Sequence, residues 1–363
     1  MRAAVYYGPG DVRVEELEAP RPGPGEVLLR LLACGICGSD LMDWYVAPRA
    51  PLVLGHEPVG EVAELGPDPP PEAPAPGTRV FVHHHVPCFV CERCRRGRHT
   101  LCPSFKGSGI RPGGLSELIL VPRDNARFDL LPLPDHLPTE TATLVEPLAC
   151  CVRGQRWAGV GPATRLAVLG AGQVGLLHVQ LALAQGCRQV VAADPLPERR
   201  KVAEALGAAS AEPAAPALVE ALGGRPDVVI ACTGATSALE LALEAVDDGG
   251  TVQLFAPAAP GQRLPLDPTD LFFREVTLQA SYSAGPADTR EALRLLASGT
   301  VTGEGIVTHR FPLEEAPRAL AAARSGEAIK VVVEGPGAGT RRDAGGGPDP
   351  GATPRAAPRR PPR

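Results

Sequence analysis

Lysine, aromatic residues and long apolar segments are scarce in this 363-residue chain. Only 3 of its 36 basic residues are lysine, which we attribute to genomic composition bias, and aromatic residues make up 4%. It has no run of about 18 apolar residues that would predict a membrane-spanning helix, and residues 1–14 do not resemble a secretory signal peptide. The formal net charge of −5 excludes an overall basic field that would hold nucleic acid or an anionic membrane. We therefore expect a soluble, cytoplasmic protein with a small-molecule partner.

Cysteine is more frequent, and its spacing is informative. Ten cysteines in a long intracellular chain indicate metal ligands or scattered buried thiols, because cytosolic thiols are kept reduced. Four of them are separated by 2, 2 and 7 residues: Cys88, Cys91, Cys94 and Cys102. Thiolates so close in sequence can converge on one tetrahedral centre and leave no open position, which predicts a structural zinc site. The arginines within this segment leave a nucleic-acid-binding zinc ribbon as the alternative interpretation.

The chain divides into a strand-rich first half and an alternating second half. Short strands are predicted at residues 26–33, 59–65 and 78–82, around a Pro-rich loop at 66–77. From residue 165 onward, apolar strands alternate with helical stretches, at 165–169, 189–193, 227–231, 251–255 and 276–280. This alternation predicts a parallel sheet with helices on both faces. Helices at 287–298 and 313–325, each followed by a glycine, and a strand at 328–334 complete the pattern.

A glycine-rich turn follows the strand at 165–169 and begins a helical run, with the sequence Gly170-Ala171-Gly172-Gln173-Val174-Gly175. Glycines at these positions allow a tight turn, close approach of a pyrophosphate and close helix–strand packing. Asp194 ends the next strand, where a carboxylate accepts hydrogen bonds from the adenosine ribose and repels a 2′-phosphate. The pattern predicts a dinucleotide site that prefers NAD to NADP, although Arg199 and Arg200 lie nearby. A glycine-rich turn without a ligand is the alternative.

Further metal-ligand residues lie on glycine-rich turns. Cys37 occurs in Cys34-Gly35-Ile36-Cys37-Gly38-Ser39-Asp40, and His56 and Glu57 occur in Gly55-His56-Glu57-Pro58. One thiolate, one imidazole and one carboxylate would make a zinc centre with an open coordination position. By spacing alone the signal is weak, because an isolated His-Glu pair is more often part of a surface or core than of a ligand set.

Taken together, these motifs resemble the zinc-dependent medium-chain alcohol dehydrogenase family, in its polyol and threonine dehydrogenase branch. The likeness covers about residues 1 to 334 and also includes Gly113-Gly114 and Glu146-Pro147-Leu148. It implies an α/β protein in which a GroES-like β-barrel catalytic domain (1–152 and 288–334) accompanies a Rossmann NAD-binding domain (153–287), a doubly wound parallel sheet. Residues 335–363, rich in Gly, Pro and Arg and without large aliphatic residues, are expected to be a disordered tail.

The resemblance also implies roles for individual residues. Cys37 and His56 match ligands of the catalytic zinc, and either Glu57 or Glu146 supplies the carboxylate. Ser39 matches the hydroxyl that accepts the substrate proton. The cofactor contacts are expected at Gly170, Gly172, Gln173, Val174, Gly175, Asp194 and Arg199.

Some nearby residues depart from the family pattern or have more than one interpretation. Met42 stands where this branch usually carries a His, which leaves the later proton relay open; Asp43 would substitute there or be a surface acid. Cys150, one helical turn after Glu146, is interpreted as a buried thiol rather than a ligand. The three consecutive histidines His83-His84-His85 are interpreted as structural or cleft-lining, because neighbouring side chains of a strand point to opposite faces.

The expected protein is a zinc- and NAD-dependent dehydrogenase with one catalytic and one structural zinc. Its substrate would be a secondary alcohol, either a polyol or a hydroxy-amino-acid-like compound. Two alternatives stay open at this point: a zinc-independent quinone or enoyl reductase on the same scaffold, and a non-catalytic NAD-binding protein. Family relatives pair through the edge of the Rossmann sheet, so we expect a homo-oligomer, either dimer or tetramer.

Overall fold

A computed structural model describes residues 1–336. The remainder of the predicted tail, 337–363, lies outside the described residues. The first half contains five α-helices and eight strands. The strands are β1 (Arg2–Gly8), β2 (Asp11–Glu16), β3 (Val27–Gly35), β4 (Leu52–Val53), β5 (Glu57–Leu65), β6 (Arg79–Val82), β7 (Leu118–Val121) and β8 (Leu130–Pro132). The helices are α1 (Asp43–Val46), α2 (Glu92–Arg95), α3 (Arg123–Phe128), α4 (Thr139–Ala142) and α5 (Val145–Trp157).

Strands and helices alternate in the second half as predicted. The strands are β9 (Arg165–Leu169), β10 (Gln189–Ala193), β11 (Ala209–Ala211), β12 (Val228–Ala231), β13 (Thr251–Leu254), β14 (Thr277–Ala280), β15 (Val307–Pro312) and β16 (Lys330–Glu334). The helices are α6 (Gln173–Ala184), α7 (Pro197–Ala205), α8 (Ala215–Leu222), α9 (Thr236–Ala245), α10 (Pro268–Phe273), α11 (Pro286–Ala297) and α12 (Ala316–Ser325). Among these described helices, none is long and apolar enough to cross a membrane.

The second half folds into a parallel six-stranded sheet of Rossmann type. Its strand order is β11-β10-β9-β12-β13-β14, which places the first strand, β9, in the middle and reverses direction beside it. Ligands bind at such a reversal point, outside the carboxyl ends of the strands. The central strands β9 and β12 are almost entirely buried, as expected for a sheet covered by helices on both faces. The fold class predicted from the sequence is confirmed.

The first half forms a mixed sheet together with the last two strands. Its order is β15-β16-β3-β5-β6-β8, with β7 on β3, and a small sheet β2-β1-β4 lies beside it. Along β3, Leu29 and Leu31 are buried whereas Arg30 between them is exposed and pairs with Glu61 on β5. Alternation of this kind builds an apolar interior. β16 pairs antiparallel with β3, so the end of the described chain completes the sheet of the first half.

Several parts of the pattern differ from the sequence prediction, which also did not include β1, β2, β4, β7, β8 and β11. β15 was not predicted, because its residues alternate between half-buried and exposed positions and include His, Arg and Pro. The last predicted helix, 313–325, begins with a 3-10 turn at Leu313–Glu315 before α12. Five strands of the parallel sheet match their predicted bounds to within one residue, because most of them are apolar runs, whereas the three-residue edge strand β11 was not predicted.

Candidate active site

Three of the predicted metal ligands come together, although Cys37 lies on a different turn from the consecutive residues His56 and Glu57. One ligand atom each from Cys37, His56 and Glu57 lies within 4.8 Å of the others. Cys37 begins a 3-10 turn after β3, and its backbone N–H donates to the carboxylate of Asp40 at 3.0 Å. Glu57 is the first residue of β5 and pairs with Gly35 on β3, where any side chain would collide with the Glu57 carboxylate. The glycine is therefore required for the cluster to close.

The His56 ring is oriented by a buried carboxylate. Asp40 Oδ1 lies 3.2 Å from Nδ1 of His56, which leaves Nε2 for a ligand, and the Ser39 hydroxyl lies 3.5 Å from that Nε2. Carboxylate partners of this kind fix the tautomer of metal-binding histidines. Burial alone would lower the pKa of His56, but the charges of Asp40 and Cys37 outweigh it and raise the pKa well above its usual range. The pocket therefore attracts positive charge.

Glu57 forms a fully buried ion pair with Lys330 of β16. Lys330 Nζ contacts Glu57 Oε2 and also donates to the carbonyl oxygen of Ile36 at 3.1 Å. Within residues 1–336, the other oxygen, Oε1, is buried without a hydrogen-bond partner. Burial raises the pKa of Glu57, and Lys330 offsets this shift only in part. A divalent ion fits here, because it would satisfy the orphaned oxygen.

The second candidate carboxylate belongs to a different cluster. Glu146, in the first turn of α5, has a ligand atom within 4.8 Å of those of His83 and His84. Its Oε1 accepts a hydrogen bond from Cys150 Sγ at 3.6 Å. Of the two carboxylates that sequence reasoning left open, Glu57 is thus the one grouped with Cys37 and His56.

The histidine triplet lies closer to the site than the alternation of strand faces suggested. β6 ends at Val82, so the alternation does not extend through His83, His84 and His85. The His84 ring lies 4.9 Å from the His56 ring, measured between centroids, and His85 packs against Phe105. Burial lowers the pKa of His84 well below its usual value and that of His85 to about 3. The imidazoles of His84 and His85 are therefore neutral near pH 7.

The four-cysteine lobe has the geometry of a closed sulfur cage. The Sγ atoms of Cys91 and Cys94 are 3.5 Å apart, as are those of Cys88 and Cys102, and Cys88 and Cys94 are 4.0 Å apart. Zn–S bonds of about 2.3 Å in a tetrahedron give sulfur separations of about 3.8 Å. All ten cysteines are free thiols in the described structure. The sulfur positions therefore fit a zinc ion.

The same lobe is docked on α5. Arg98 lies 4.5 Å from the Trp157 ring centroid and Arg153 lies 4.0 Å from it on the same ring. Arg153 also donates to the hydroxyl of Thr100 at 3.2 Å. Arginine stacking on an aromatic face is favourable, so the predicted arginine-rich segment serves in part to attach the lobe to the protein.

The nucleotide loop has the backbone that its glycines predict. Gly170 has φ of +100°, Gly172 caps the N-terminus of α6, and a side chain at Gly175 would collide with the carbonyl oxygen of Gly170. The loop therefore offers α6 backbone N–H groups to an anion, as a pyrophosphate site requires. Gln173 and Val174 are the first two residues of that helix.

Asp194 lies at the end of β10 beside this loop. Its carboxylate accepts hydrogen bonds from the backbone N–H groups of Ala171 at 2.8 Å and Leu196 at 2.9 Å. Arg199 lies 3.9 Å from the same carboxylate and donates to the carbonyl oxygen of Gly326 at 2.7 Å. A negative charge is thus fixed beside the loop, and the nearest guanidinium is already engaged.

Helix α5 connects the metal cluster and the nucleotide loop. Glu146 and Cys150 lie on its side towards the metal cluster, whereas Cys151 Sγ donates to the carbonyl oxygen of Val174 at 3.6 Å. Helix α5 therefore contacts both the residues beside the metal cluster and the start of α6, which follows the nucleotide loop. Sequence reasoning did not single out two contributors, Asp40 and Lys330. Lys330 could have been noticed in the sequence, because lysine is scarce in this chain and the residues around it are apolar.

Known proteins share both halves of this arrangement. A family model for the alcohol dehydrogenase GroES-like domain matches residues 23–135, and one for zinc-binding dehydrogenases matches residues 174–298. Sorbitol dehydrogenase of Ovis aries is 34% identical over 346 residues, which cover 91% of this chain and 95% of the relative.

Solved structures agree with the sequence relatives. A zinc-binding dehydrogenase of Sinorhizobium meliloti 1021 bound to NADP has a TM-score of 0.83 at 32% identity, covering 92% of this chain and 98% of that one. Alcohol dehydrogenase TADH from Thermus sp. ATN1 has a TM-score of 0.81 at 33% identity, covering 92% and 99%. The resemblance noted in the sequence is confirmed: the chain belongs to the zinc-dependent medium-chain alcohol dehydrogenase family, in its polyol branch.

Proposed function

We propose that the protein transfers a hydride from a secondary alcohol carbon of a polyol to NAD. One observation carries this proposal: the ligand atoms of Cys37, His56 and Glu57 converge beside the helix that contacts the nucleotide loop. A zinc-independent reductase would have no use for that donor set. The sorbitol dehydrogenase relatives favour a polyol over a hydroxy-amino-acid-like substrate.

The residues around the cluster account for the steps of such a reaction. A bound zinc ion supplies a Lewis acid that favours loss of the alcohol proton. Ser39, beside His56, offers a hydroxyl that accepts this proton, and Asp40 keeps the His56 ring in place. Asp43 pairs with Arg324 and Tyr6, so its carboxylate is engaged in a structural contact rather than directed along a relay.

NAD is the proposed cofactor. The buried Asp194 carboxylate is held beside the glycine-rich loop by two backbone N–H groups, and its charge disfavours a 2′-phosphate. Residues Gly170, Gly172, Gln173, Val174, Gly175 and Arg199 are proposed to complete the binding site. One relative binds NADP. We expect Asp194→Ala to reduce the ratio of kcat/KM for NAD to kcat/KM for NADP by about tenfold, or roughly 1.4 kcal/mol, because the variant no longer repels the 2′-phosphate. Comparison of kcat/KM for the two cofactors tests this, and an unchanged ratio would contradict it.

Two zinc sites are proposed: a catalytic one at Cys37, His56 and Glu57, and a structural one at Cys88, Cys91, Cys94 and Cys102. The sulfur separations support the second, and the orphaned Glu57 oxygen supports the first. We propose that Glu57, and not Glu146, is the carboxylate ligand of the catalytic zinc. Glu146 belongs to the neighbouring cluster with His83 and His84.

The organisation of the whole molecule completes the proposal. We propose a catalytic domain of residues 1–152 and 288–334 and a nucleotide domain of 153–287, supported by the pairing of β16 with β3. We also propose a cytoplasmic location. A homo-oligomer is proposed because β14 lies at the edge of its sheet with most of its residues exposed, so it could pair with a second copy of the chain. Light scattering on the purified protein tests the oligomer.

The decisive experiment is NAD reduction with a panel of polyols, amino alcohols and simple alcohols. We expect turnover of polyols that is lost after zinc chelation and restored by added zinc. Reduction of quinones or enoyl compounds by NADPH, unaffected by chelation, would replace the proposal with the zinc-independent alternative. Nucleotide binding without turnover of any substrate in the panel would instead favour a non-catalytic protein.

A further inference from the structure

We propose that His83, His84 and Glu146 form a second divalent-metal position beside the Cys37, His56 and Glu57 cluster. One ligand atom from each of the three residues lies within 4.8 Å of the others. His83 and Glu146 are buried and His84 is half-buried. Two imidazoles and a carboxylate suit a transition ion such as Zn²⁺.

The imidazole nitrogens of this set lack partners. In the described part of the chain, both ring nitrogens of His83 and Nδ1 of His84 are buried without a hydrogen-bond partner. Buried polar atoms are almost always paired, because an unpaired one costs about 1–3 kcal/mol. A metal ion would satisfy nitrogens that the protein leaves unsatisfied.

His83 also has the supporting carboxylate typical of a metal-binding histidine. Its Nδ1 lies 3.2 Å from Asp129 Oδ2, the same separation that joins His56 Nδ1 to Asp40. Asp129 is itself held by the Thr289 hydroxyl at 2.6 Å. Both clusters thus place a carboxylate near Nδ1 of a histidine, as metal sites commonly do, but the His83–Asp129 contact lacks the hydrogen-bond geometry of the His56–Asp40 pair.

The backbone around His83 is fixed too. Its N–H donates to the carbonyl oxygen of Asp129 at 3.1 Å, and Asn125 Nδ2 donates to its carbonyl oxygen at 3.0 Å. A ring held at both the backbone and the side chain is preorganised for a ligand, which lowers the entropy lost on binding.

The charges near this set favour a second cation. The carboxylates of Glu57 and Glu146 are close enough to repel one another, and Asp129 adds a third negative group behind His83. Lys330 is already engaged by Glu57. In the metal-free protein, an ion bound by Glu146 would offset the repulsion between the two carboxylates, and with zinc on Glu57 the set still has the negative charges of Glu146 and Asp129.

Metal counting tests the proposal independently of turnover. We expect protein dialysed against excess Zn²⁺ and then desalted to retain three zinc ions per chain by mass spectrometry of the metal. His84→Ala and His84→Gln should each retain two. The matched control is His85→Ala, which removes the adjacent half-buried imidazole outside the set and should retain three. Circular dichroism verifies that each variant is folded.

Cobalt spectroscopy distinguishes the sites by their donors. Thiolate ligands give Co²⁺ intense near-ultraviolet charge-transfer absorption, whereas the proposed set contains no sulfur. The third equivalent of Co²⁺ should therefore add visible absorption without further thiolate absorption. Saturation of the wild type at two ions, three ions in His84→Ala, or thiolate absorption from the third equivalent would each overturn the proposal. Because neither measurement uses substrate, a failure of the proposed dehydrogenase activity would leave this result unaffected.

Discussion

The four-cysteine lobe and the Cys37, His56 and Glu57 cluster are two metal-ligand sets built in opposite ways. The lobe takes all its donors from residues 88–102, uses sulfur throughout, and packs around the small core at Phe105. The cluster combines a thiolate from one turn with the adjacent imidazole and carboxylate of another segment, and Asp40 and Lys330 support them. Four protein thiolates complete a tetrahedron, whereas three mixed donors leave a position for substrate.

The protonation of the two sets differs as well. In the lobe, hydrogen bonds from backbone N–H groups lower the pKa of Cys88 to about 6, while burial raises that of Cys94 to about 12. In the cluster, the charges of Asp40 and Cys37 oppose the effect of burial on the pKa of His56, and the charge of Lys330 opposes it on the pKa of Glu57. A closed set therefore stabilises the fold, and an open, charge-compensated set is suited to chemistry. The following experiments test that contrast.

The largest effect is expected from removal of the thiolate of the open set. Cys37→Ala should lower kcat/KM for a polyol on the order of 10³–10⁴-fold, because the metal supplies several kcal/mol of charge stabilisation in the transition state. The variant should lose one zinc ion, keep the four-cysteine zinc, and unfold at nearly the wild-type temperature. Retention of substantial zinc-dependent turnover would place the chemistry elsewhere.

The next largest effect is expected from replacement of Lys330, the buried cation. Lys330→Met leaves the Glu57 carboxylate buried without its partner, which costs about 3–5 kcal/mol in the free energy of unfolding. Zinc should reduce this loss, since an ion on Glu57 replaces the missing positive charge. Urea denaturation with and without chelator measures both values.

The double variant Lys330→Met/Glu57→Gln provides the control for that measurement. Removing both charges should recover much of the stability lost in Lys330→Met, because no charge then stays buried unpaired. If the single variant were as stable as the wild type in chelator, the ion pair would have no part in holding the cluster.

Substitution of a cysteine in the four-cysteine lobe should affect the stability of the protein more than its turnover. Cys102→Ser should lose one zinc ion and at least about 3 kcal/mol of stability, because the binding free energy of a structural zinc, ~10–16 kcal/mol in zinc-finger peptides, contributes to folding. At a temperature where the variant stays folded, kcat/KM should fall by less than about tenfold. A loss of turnover as large as that of Cys37→Ala would remove the distinction between the two sets.

The smallest effect concerns the turn that carries the open set. Asp43, just beyond Ser39, is hydrogen-bonded by Arg324 and Tyr6, and the Arg324 guanidinium lowers its pKa. Asp43→Asn should cost at most about 1 kcal/mol at pH 7, because Asp43 and Arg324 are both partly exposed and their attraction is screened by solvent.

The pH dependence of that difference follows from the direction of the shift. A carboxyl whose folded pKa lies below its unfolded value of about 3.9 stabilises the fold above roughly pH 4, and this contribution is lost as pH falls through the folded pKa. Thermal unfolding of Asp43→Asn and the wild type should therefore converge at low pH. A difference that persists in strong acid would assign the effect to packing instead.

Features that depend on neighbouring residues could be predicted before the structure. The strand at 165–169, its glycine-rich turn and the following helix appear as expected, because apolar runs and glycines act over a few residues. β15 was missed because an exposed edge strand has no apolar run to reveal it. The strand alternation used to interpret the histidine triplet does not apply, because the strand before it ends at Val82.

The sequence by itself determined the family, the parallel sheet, the nucleotide turn and the four-cysteine lobe, since each is encoded in a short segment with a characteristic spacing. The tertiary structure alone decided that Glu57 joins Cys37 and His56 while Glu146 faces His83 and His84. It also brought Lys330 to Glu57 across 273 residues of chain. Contacts over such distances leave no periodic pattern in the sequence, because they arise from pairing of strands that are far apart in the chain.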